Sequence, residues 1–277
     1  MEILLLATLA SVALSYYDKK GVISGMSKLQ YIFLKMLALI PFCFILFLFY
    51  PFQFVFHPIS ILLIVALLLV NMTNYLGFIG VVKKTSPYET GVLLTLTIPF
   101  IYFIDILIGT QALNPISIVF LALVILGVII ISKNEINIKE FKWSLVLSVF
   151  SNIAKGYLIH FLLNYLSIPV YLLVVHVVTA LVIYIFFNQK LNVKTLTKSN
   201  FKWAFTTQFI GIISLVCNAL LAQISVSYYM LRTPFMLISL VLSSYFIKNK
   251  TYGEKPSTKK LIGAIITIAG VLLFLIY

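Results

Sequence analysis

The chain has 277 residues, of which 62% are hydrophobic and only 10% are charged, and its mean hydropathy is +1.13. A soluble domain carries about 25% charged residues, so this composition excludes a water-soluble enzyme and a nucleic-acid-binding protein. It also excludes a disordered chain, which would be polar. The net charge of +13 comes mainly from lysines that stand between apolar runs, which indicates membrane topology rather than a nucleic-acid partner.

The apolar runs predict ten membrane-spanning helices, since a helix needs about 20 mostly apolar residues to cross a bilayer. Helices are expected rather than barrel strands, because the runs are continuous and do not alternate with polar residues. In chain order the predicted spans are Glu2–Tyr17, Tyr31–Tyr50, Pro58–Val82, Ser86–Gly109, Pro115–Ser132, Phe141–Leu163, Ile168–Phe187, Phe201–Ala222, Ser225–Ile247 and Leu261–Tyr277. The first span is short and extends past Lys20 in a second interpretation. The predicted fold class is an all-α integral membrane protein.

Lysines are confined to alternate loops, which predicts the orientation of the chain. The odd-numbered loops and their flanks hold Lys19, Lys20, Lys28, Lys83, Lys84, Lys133, Lys139, Lys142, Lys190, Lys194, Lys198, Lys202, Lys248, Lys250, Lys255, Lys259 and Lys260, whereas the even-numbered loops hold none. The positive-inside rule therefore predicts odd loops in the cytoplasm and both termini outside the cytoplasmic membrane. Lys35, near the inner end of the second span, is expected to snorkel to the membrane surface.

The two halves of the chain resemble each other. Each half contains an apolar run with one central glycine: ALVILGVIIIS at 122–132 and IITIAGVLLFL at 265–275. Each run follows a span with a central proline, Pro99 or Pro234. We therefore predict two repeats, 1–133 and 141–277. Five spans per repeat is an odd number, so the second repeat must be inverted in the membrane, which favours a substrate site between the repeats near the midplane.

Two stretches resemble the EamA domain of the drug/metabolite transporter superfamily. They are YLGFIGVVKKTSPYETGVLLTLTIPFIYFIDILIGTQALNPISIVFLALVILGVIIIS at 75–132 and SVSYYMLRTPFMLISLVLSSYFIKNKTYGEKPSTKKLIGAIITIAGVLLFLIY at 225–277. In each, a helix ends in a short polar turn, an apolar run surrounds a proline, and a last run closes in Gly-Val. Gly253-Glu254-Lys255 is similar to the loop before the family's last helix, whereas the first half has Gly109-Thr110-Gln111. The resemblance implies a ten-helix secondary transporter without a cofactor, and in many members both termini are cytoplasmic.

Basic side chains inside the spans are candidates for substrate binding, because an intramembrane charge is costly. Lys155 lies near the centre of the sixth span, with Asn152 on the same face and Tyr157 close by in sequence. Arg232 precedes Pro234 and would either bind an anionic group or pair with Asp105. His176, in the middle of the seventh span, is a ligand-binding residue or a satisfied core histidine.

Two acidic residues are candidates for proton or ion coupling. Glu89 lies at the start of the fourth span, where it either carries a proton or stabilises a helix N-terminus. Asp105 lies toward the outer end of that span and is a proton or cation site or an interfacial residue.

Uncharged polar side chains on several spans predict the lining of a cavity. The residues are Asn71, Asn74, Tyr75, Gln208, Asn218, Tyr228 and Tyr229. Each one alone is explained by helix–helix hydrogen bonding, which contributes about 1 kcal/mol or less. As a set spread over both halves, they favour a polar cavity.

These features predict a secondary active transporter of a small polar metabolite that works by alternating access. The chain has no GxxxxGK[ST] motif, so proton-motive force or solute exchange is expected to drive it. The alternatives are a flippase for a lipid-linked headgroup, a non-transporting membrane partner and an intramembrane enzyme, although HExxH and GxSxG motifs are absent. The expected partners are the substrate and the bilayer, with monomer and homodimer both left open.

Overall fold

The computed structural model describes residues 2–109, 112–135, 138–224 and 258–276, together with Val226, Tyr229, Thr233, Phe235, Met236, Ser239 and Leu240. Within these residues the α-helices are α1 Glu2–Ile23, α2 Lys28–Leu46, α3 Pro58–Lys84, α4 Pro87–Leu94, α5 Thr97–Leu107, α6 Pro115–Glu135, α7 Lys142–Leu162, α8 Ile168–Leu191, α9 Lys198–Ile224 and α10 Thr258–Ile276. Short 3-10 turns occupy Ile138–Glu140 and Val193–Thr195. The described part of the chain contains no β-strand, only a single bridge between Phe54 and Leu166.

Six segments of the described chain are long and apolar enough to cross a membrane. They are Lys28–Leu46, Pro58–Lys84, Glu89–Leu107, Lys142–Leu162, Ile168–Leu191 and Lys198–Ile224. Shorter apolar helices cover Pro115–Ile130 and Leu261–Leu273. Large apolar side chains such as Leu62, Ile185 and Phe209 are exposed, whereas charged Asp18 and Lys35 are buried. This distribution is the reverse of that in a soluble protein, and the chain is a multi-pass α-helical membrane protein.

The helices begin and end close to the predicted spans, with one clear extension. α1 continues to Ile23, so the helix extends past Lys20 as in the second interpretation, and not only to Tyr17. α2 begins at a capping box in which Ser27 accepts from the Gln30 N–H group at 3.1 Å. α9 ends at Ile224, next to the predicted boundary at Gln223. The predicted ninth span, 225–247, falls mostly outside the described residues.

The predicted fourth span is divided into α4 and α5. The break lies at Thr95 and Leu96, four and three residues before Pro99. Proline has no N–H group to donate to the carbonyl four residues earlier, and its ring crowds that carbonyl. The hydroxyl groups of Thr95 and Thr97 donate to the carbonyls of Val92 and Leu94 at 2.6 and 2.8 Å. The sequence therefore produces a discontinuous helix at this point.

Antiparallel helix pairs form the framework of the bundle. α3 packs along α7, α1 along α9 and α6 along α10, while α2 lies against both α8 and α9. Glycines allow the closest approach of α6 and α10: a Cβ atom on Gly127 would lie 2.5 Å from the Gly263 carbonyl oxygen. A Cβ atom on Gly270 would lie 2.7 Å from the Phe120 carbonyl oxygen. Small residues at membrane helix interfaces commonly allow such contact.

The lysine-rich helix ends lie together at one end of the bundle, which we call the lysine end. The Lys19 ammonium group on α1 donates to the carbonyls of Val82 and Thr85 at the end of α3, at 2.7 and 2.8 Å. The indole of Trp203, near the start of α9, donates to the Tyr17 carbonyl at 2.8 Å. The C-terminal ends of α1 and α3 and the N-terminal ends of α7 and α9 therefore share this end, and α1 begins at the other.

The helices recur at a fixed interval along the chain. The first residues of α1 and α7, α2 and α8, and α3 and α9 are each separated by 140 positions: Glu2 and Lys142, Lys28 and Ile168, and Pro58 and Lys198. The direction reverses within a matched pair, because α1 ends at the lysine end whereas α7 begins there.

Candidate functional site

A cavity of about 180 Å³ lies inside the bundle. Its walls come from α1, α2, α3, α4, α7, α8 and α9, with Tyr229, Thr233 and Met236 from the chain beyond α9. Seven predicted site residues line it: Asn74, Tyr75, Asn152, Lys155, Gln208, Asn218 and Tyr229. The structure therefore brings together polar side chains from both halves of the chain.

Lys155 and Asn71 form one of the polar links between α7 and α3. The Lys155 ammonium group donates to Asn71 Oδ1 at 2.9 Å and lies 5.7 Å from the centre of the Tyr75 ring. Asn71 is buried and lies next to the cavity-lining residues rather than among them. The side-chain oxygen of Asn71 thus gives the Lys155 ammonium group a polar partner within the apolar bundle.

A buried ion pair between α1 and α2 forms another part of the cavity wall. The Lys35 ammonium group donates to Asp18 Oδ1 at 2.8 Å, and both side chains are buried. The Lys35 ammonium group also lies 5.4 Å from the centre of the Tyr31 ring and 5.7 Å from that of Tyr75. The expectation that Lys35 snorkels to the surface is therefore wrong, because Asp18 offers it a partner inside the bundle.

Hydrogen bonds between small polar groups join the helix pairs at the level of the cavity. Asn74 Nδ2 donates to Ser151 Oγ at 3.2 Å, and the Ser11 and Ser214 hydroxyl groups lie 3.0 Å apart. Asn218 Nδ2 donates to Ser214 Oγ at 3.3 Å. The first two bonds join α3 to α7 and α1 to α9, and the third lies within α9 and connects Asn218 to the second link.

Two buried amide atoms have no hydrogen-bond partner among the described residues. They are Oδ1 of Asn218, which is an acceptor, and Nδ2 of Asn71, which is a donor. Asn218 lines the cavity and is 7% exposed. An unsatisfied buried polar atom is costly. Asn218 Oδ1 belongs to a residue of the cavity wall, whereas Asn71 lies next to that wall and does not line it.

Gln208 and Tyr229 each contact a residue of the cavity wall that is far from them in the sequence. Gln208 Nε2 donates to the backbone carbonyl of Lys35 at 2.8 Å, which joins α9 to α2. The Tyr229 hydroxyl group donates to Asn152 Oδ1 at 3.3 Å. The Gln208 contact joins the two halves of the chain, whereas the Tyr229 contact lies within the second half.

Of the remaining predicted residues, those that the structure describes do not line the cavity. His176 is buried within α8, where Nδ1 donates to the Leu172 carbonyl at 2.6 Å. The Tyr157 hydroxyl group donates to Asp105, on the part of α5 away from the lysine end. Glu89 belongs to the capping box of α4, in which Oε2 accepts from the Ser86 N–H group at 2.8 Å. Arg232 and Tyr228 lie outside the described residues.

Sequence analysis missed the contribution of α1. Ser11, Ser15 and Asp18 all line the cavity, although the analysis assigned them no role. They recur at intervals of four and three residues on an otherwise apolar helix, which is the spacing of one helix face. That spacing was the available signal, but the predicted first span Glu2–Tyr17 ends one residue before Asp18.

Among the described residues, no group of three or more His, Cys, Asp or Glu side chains is placed to hold a metal ion. The cavity wall instead offers ammonium, carboxylate, amide and hydroxyl groups, which bind polar organic molecules by hydrogen bonds and charge. No protein-family model matches the chain, and no curated protein sequence matches it.

Proposed function

We propose that the chain is a secondary active transporter that moves a small polar metabolite across the cytoplasmic membrane by alternating access. The observation that carries this proposal is the cavity, because it holds Lys35, Asp18 and Lys155 inside a bundle of apolar helices. Charged side chains are costly inside a bundle of membrane helices and are characteristic of solute pathways and relays in membrane proteins.

We further propose that ten spans form two inverted five-helix repeats of the EamA type. Three observations support this arrangement: the constant interval between matched helix starts, the opposite directions of α1 and α7, and the antiparallel crossing of α6 and α10 at Gly127 and Gly270. A cavity between two inverted repeats is typical of transporters in which one half rocks against the other.

The discontinuous helix α4–α5 supports the same function. Thr90 and Leu94 of α4 line the cavity, and the helix is interrupted directly after Leu94. Interrupted helices at membrane depth occur where the backbone is buried in protein or lines a cavity. In our proposal this break lets the two ends of the span tilt separately as the cavity opens to one side or the other.

A proton gradient or exchange of solutes would supply the energy. Glu89 and Asp105 remain the sequence-based candidates for coupling, and Asp18 joins them because it is a carboxylate on the cavity wall. The positive-inside rule assigns the lysine end to the cytoplasm. This orientation would leave both termini outside.

Transport can be tested in proteoliposomes that contain the purified full chain. Radiolabelled organic acids, amino acids, amines and sugar phosphates are presented with and without a pH gradient, and protein-free liposomes are the control. We expect saturable uptake of at least one class and counterflow when unlabelled solute is loaded inside. A folded protein that gives no flux with any class would contradict the proposal, and scrambling of a fluorescent lipid would favour a flippase.

A further inference from the structure

We infer that the α1–α9 side of the cavity binds a small neutral polyol, whose hydroxyl groups donate to Asn218 and Ser15. We call this part of the wall the serine–asparagine face; it consists of Ser11 and Ser15 on α1 and Ser214 and Asn218 on α9. The identification of this polyol as the transported substrate rests on the proposed function, whereas its binding does not.

Asn218 supplies the main requirement of the ligand. Its Nδ2 atom donates to Ser214 Oγ at 3.3 Å, which leaves Oδ1 as a buried acceptor with no partner among the described residues. The residue lines the cavity and is 7% exposed. A buried acceptor without a donor is costly, so the bound molecule is expected to present an O–H or N–H group at this place.

The serine hydroxyl groups make the face suitable for hydroxyls in particular. Ser15 Oγ donates to the Ser11 carbonyl at 2.9 Å, so the lone pairs of the Ser15 oxygen are left to accept. The Ser11 and Ser214 hydroxyl oxygens lie 3.0 Å apart and share one hydrogen, so the second hydroxyl hydrogen is left to donate. A hydroxyl group both donates and accepts, and it therefore complements both kinds of open position.

The two acceptors are spread along the cavity, which favours a ligand with more than one hydroxyl. α1 and α9 are antiparallel, so Ser15 lies one helical turn from the Ser11–Ser214 link toward the lysine end, and Asn218 lies one turn from it in the opposite direction. Their Cα atoms are therefore separated by roughly 12 Å along the helix axes. Both side chains lean back toward the link, because each Cα–Cβ bond tilts toward the N-terminus of its own helix. A short linear polyol can reach both acceptors.

The surroundings of this face favour a neutral hydroxyl over an ammonium or a carboxylate group. Among the described lining residues, Asp18 is the only carboxylate, and it is bonded to Lys35 at 2.8 Å. An ammonium group at Asn218 would be buried without a carboxylate of its own in the described wall, which is costly. A ligand carboxylate would place one acceptor against another at Asn218 Oδ1.

The size of the cavity limits the length of the polyol. A cavity of about 150 Å³ in a protein core accommodates one benzene molecule, and the cavity here is about 180 Å³. A linear polyol of about four carbons has a similar bulk. A disaccharide, a nucleotide-sugar or a lipid with its acyl chains is too large for this volume.

Two isomeric competitors test the need for hydroxyl hydrogens. The purified full chain in phosphatidylcholine nanodiscs is incubated with tritiated erythritol, and bound label is measured by scintillation proximity, with empty nanodiscs as the control. 1,4-Butanediol and 1,2-dimethoxyethane have the same atoms, but only the diol can donate. We expect saturable erythritol binding and displacement by the diol at about tenfold or more lower concentration than by the diether. Equal displacement by the two isomers, or no binding of erythritol and the diol, would overturn the inference.

A charged competitor of the same length tests the preference for a neutral ligand. 1,4-Diaminobutane replaces both hydroxyl groups of the diol with ammonium groups. We expect it to displace erythritol about tenfold or more weakly than the diol does. Stronger displacement by the diamine would overturn the assignment of the face to hydroxyl groups.

Matched variants locate the binding site. Asn218→Leu should weaken erythritol binding about fivefold or more and should reduce the preference for the diol over the diether, and Ser15→Ala should weaken binding about threefold. The control is Asn188→Leu, which removes an exposed amide near the end of α8, outside the cavity wall. Equal losses in Asn218→Leu and Asn188→Leu would overturn the site. If Asn218→Leu does not fold, Ser15→Ala and the competitors on the unmodified chain still decide the question.

Flux measurements separate this inference from the proposed function. Tritiated erythritol is offered to proteoliposomes that contain the unmodified chain, together with the other solute classes. Erythritol binding without flux of any solute would contradict the proposed transport and leave the polyol site standing. Flux of another solute through a chain that binds neither erythritol nor the diol would overturn the polyol site and leave the proposed transport standing.

Discussion

The helix pairs α3–α7 and α1–α9 share one framework but bring different chemistry to the cavity. Asn74 of α3 bonds Ser151 of α7, and the positions 140 residues away are Ser214 of α9 and Ser11 of α1, which also bond each other. Both helix pairs are antiparallel, and in both the hydrogen bond between these matched residues lies beside the cavity. The packing of one pair is therefore repeated in the other.

The charges are not repeated. Lys155 and Asn71 make a link between α7 and α3, whereas the matching positions of α1 and α9 are occupied by Ser15 and Gly211. In the other direction, Asp18 on α1 matches Leu158 on α7. The two helix pairs are therefore alike in their hydrogen-bonded links but different in their charges.

The largest loss of stability is expected at Asp18, a charged residue whose matching position 140 residues later is the apolar Leu158. Asp18→Leu leaves the Lys35 ammonium group buried without its carboxylate, and loss of one partner of a buried pair costs about 3–5 kcal/mol of unfolding free energy. Adding Lys35→Met should recover most of this loss, because the matched positions are the apolar Leu158 and Val175. Unfolding in mixed micelles measures the difference.

The exposed pair of Lys84 and Glu140 is the control for this measurement. Its N–O distance is also 2.8 Å, but the two side chains are 55% and 49% exposed. Solvent screening reduces such pairs to about 0–1 kcal/mol. If Asp18→Leu destabilises the protein no more than Glu140→Leu does, the ion pair is not buried as described.

A smaller loss of stability is expected at Gly77, where α3 lies closer to α7 than the side chain of the matched residue on α9 would allow. A Cβ atom on Gly77 would lie 2.7 Å from the Ser148 nitrogen and 2.8 Å from the Ser144 carbonyl oxygen, whereas the matched position on α9 is Cys217. Gly77→Cys forces α3 away from α7, and such overpacking costs about 1–3 kcal/mol. The change should appear as a lower melting temperature of the purified protein.

Cys217, the residue of α9 that matches Gly77, provides the control for Gly77→Cys. Cys217 is buried, but the structure accommodates its side chain between α9 and its neighbours. Cys217→Ala removes one sulfur atom and should lower the melting temperature less than Gly77→Cys does. A Gly77→Cys protein as stable as the unmodified chain would mean that the two pairs are equally spaced.

The positions of the helices were predictable from the sequence because a membrane-spanning helix requires a continuous apolar run. α3 begins at Pro58 as predicted, since proline suits the first helical position. The division of the fourth span was not predicted, although Pro99 was noticed. An apolar run does not reveal whether the helix around a proline bends or breaks, because the outcome depends on the residues that receive the freed carbonyls.

Much of the cavity wall was also predictable, because polar residues in apolar runs are few and conspicuous. Lys155, Asn74 and Asn218 were identified in this way. The pairing of these residues was not predictable: Lys155 and Asn71 are 84 residues apart, and only the packing of α3 on α7 joins them. Lys35 was misinterpreted for the same reason, since its partner Asp18 is on another helix and lies one residue past the predicted first span.

The smallest effect tests the repeated framework most directly. Double-mutant cycles on Asn74 with Ser151, and on Ser214 with Ser11, should give nearly equal coupling energies, because the two links occupy matched positions. Hydrogen bonds between membrane helices average about 0.6 kcal/mol in such cycles. Alanine variants measured by unfolding in mixed micelles provide both values. A difference of more than about 1 kcal/mol would exceed the usual range for such bonds. It would mean that the two links resemble each other in position but not in energy.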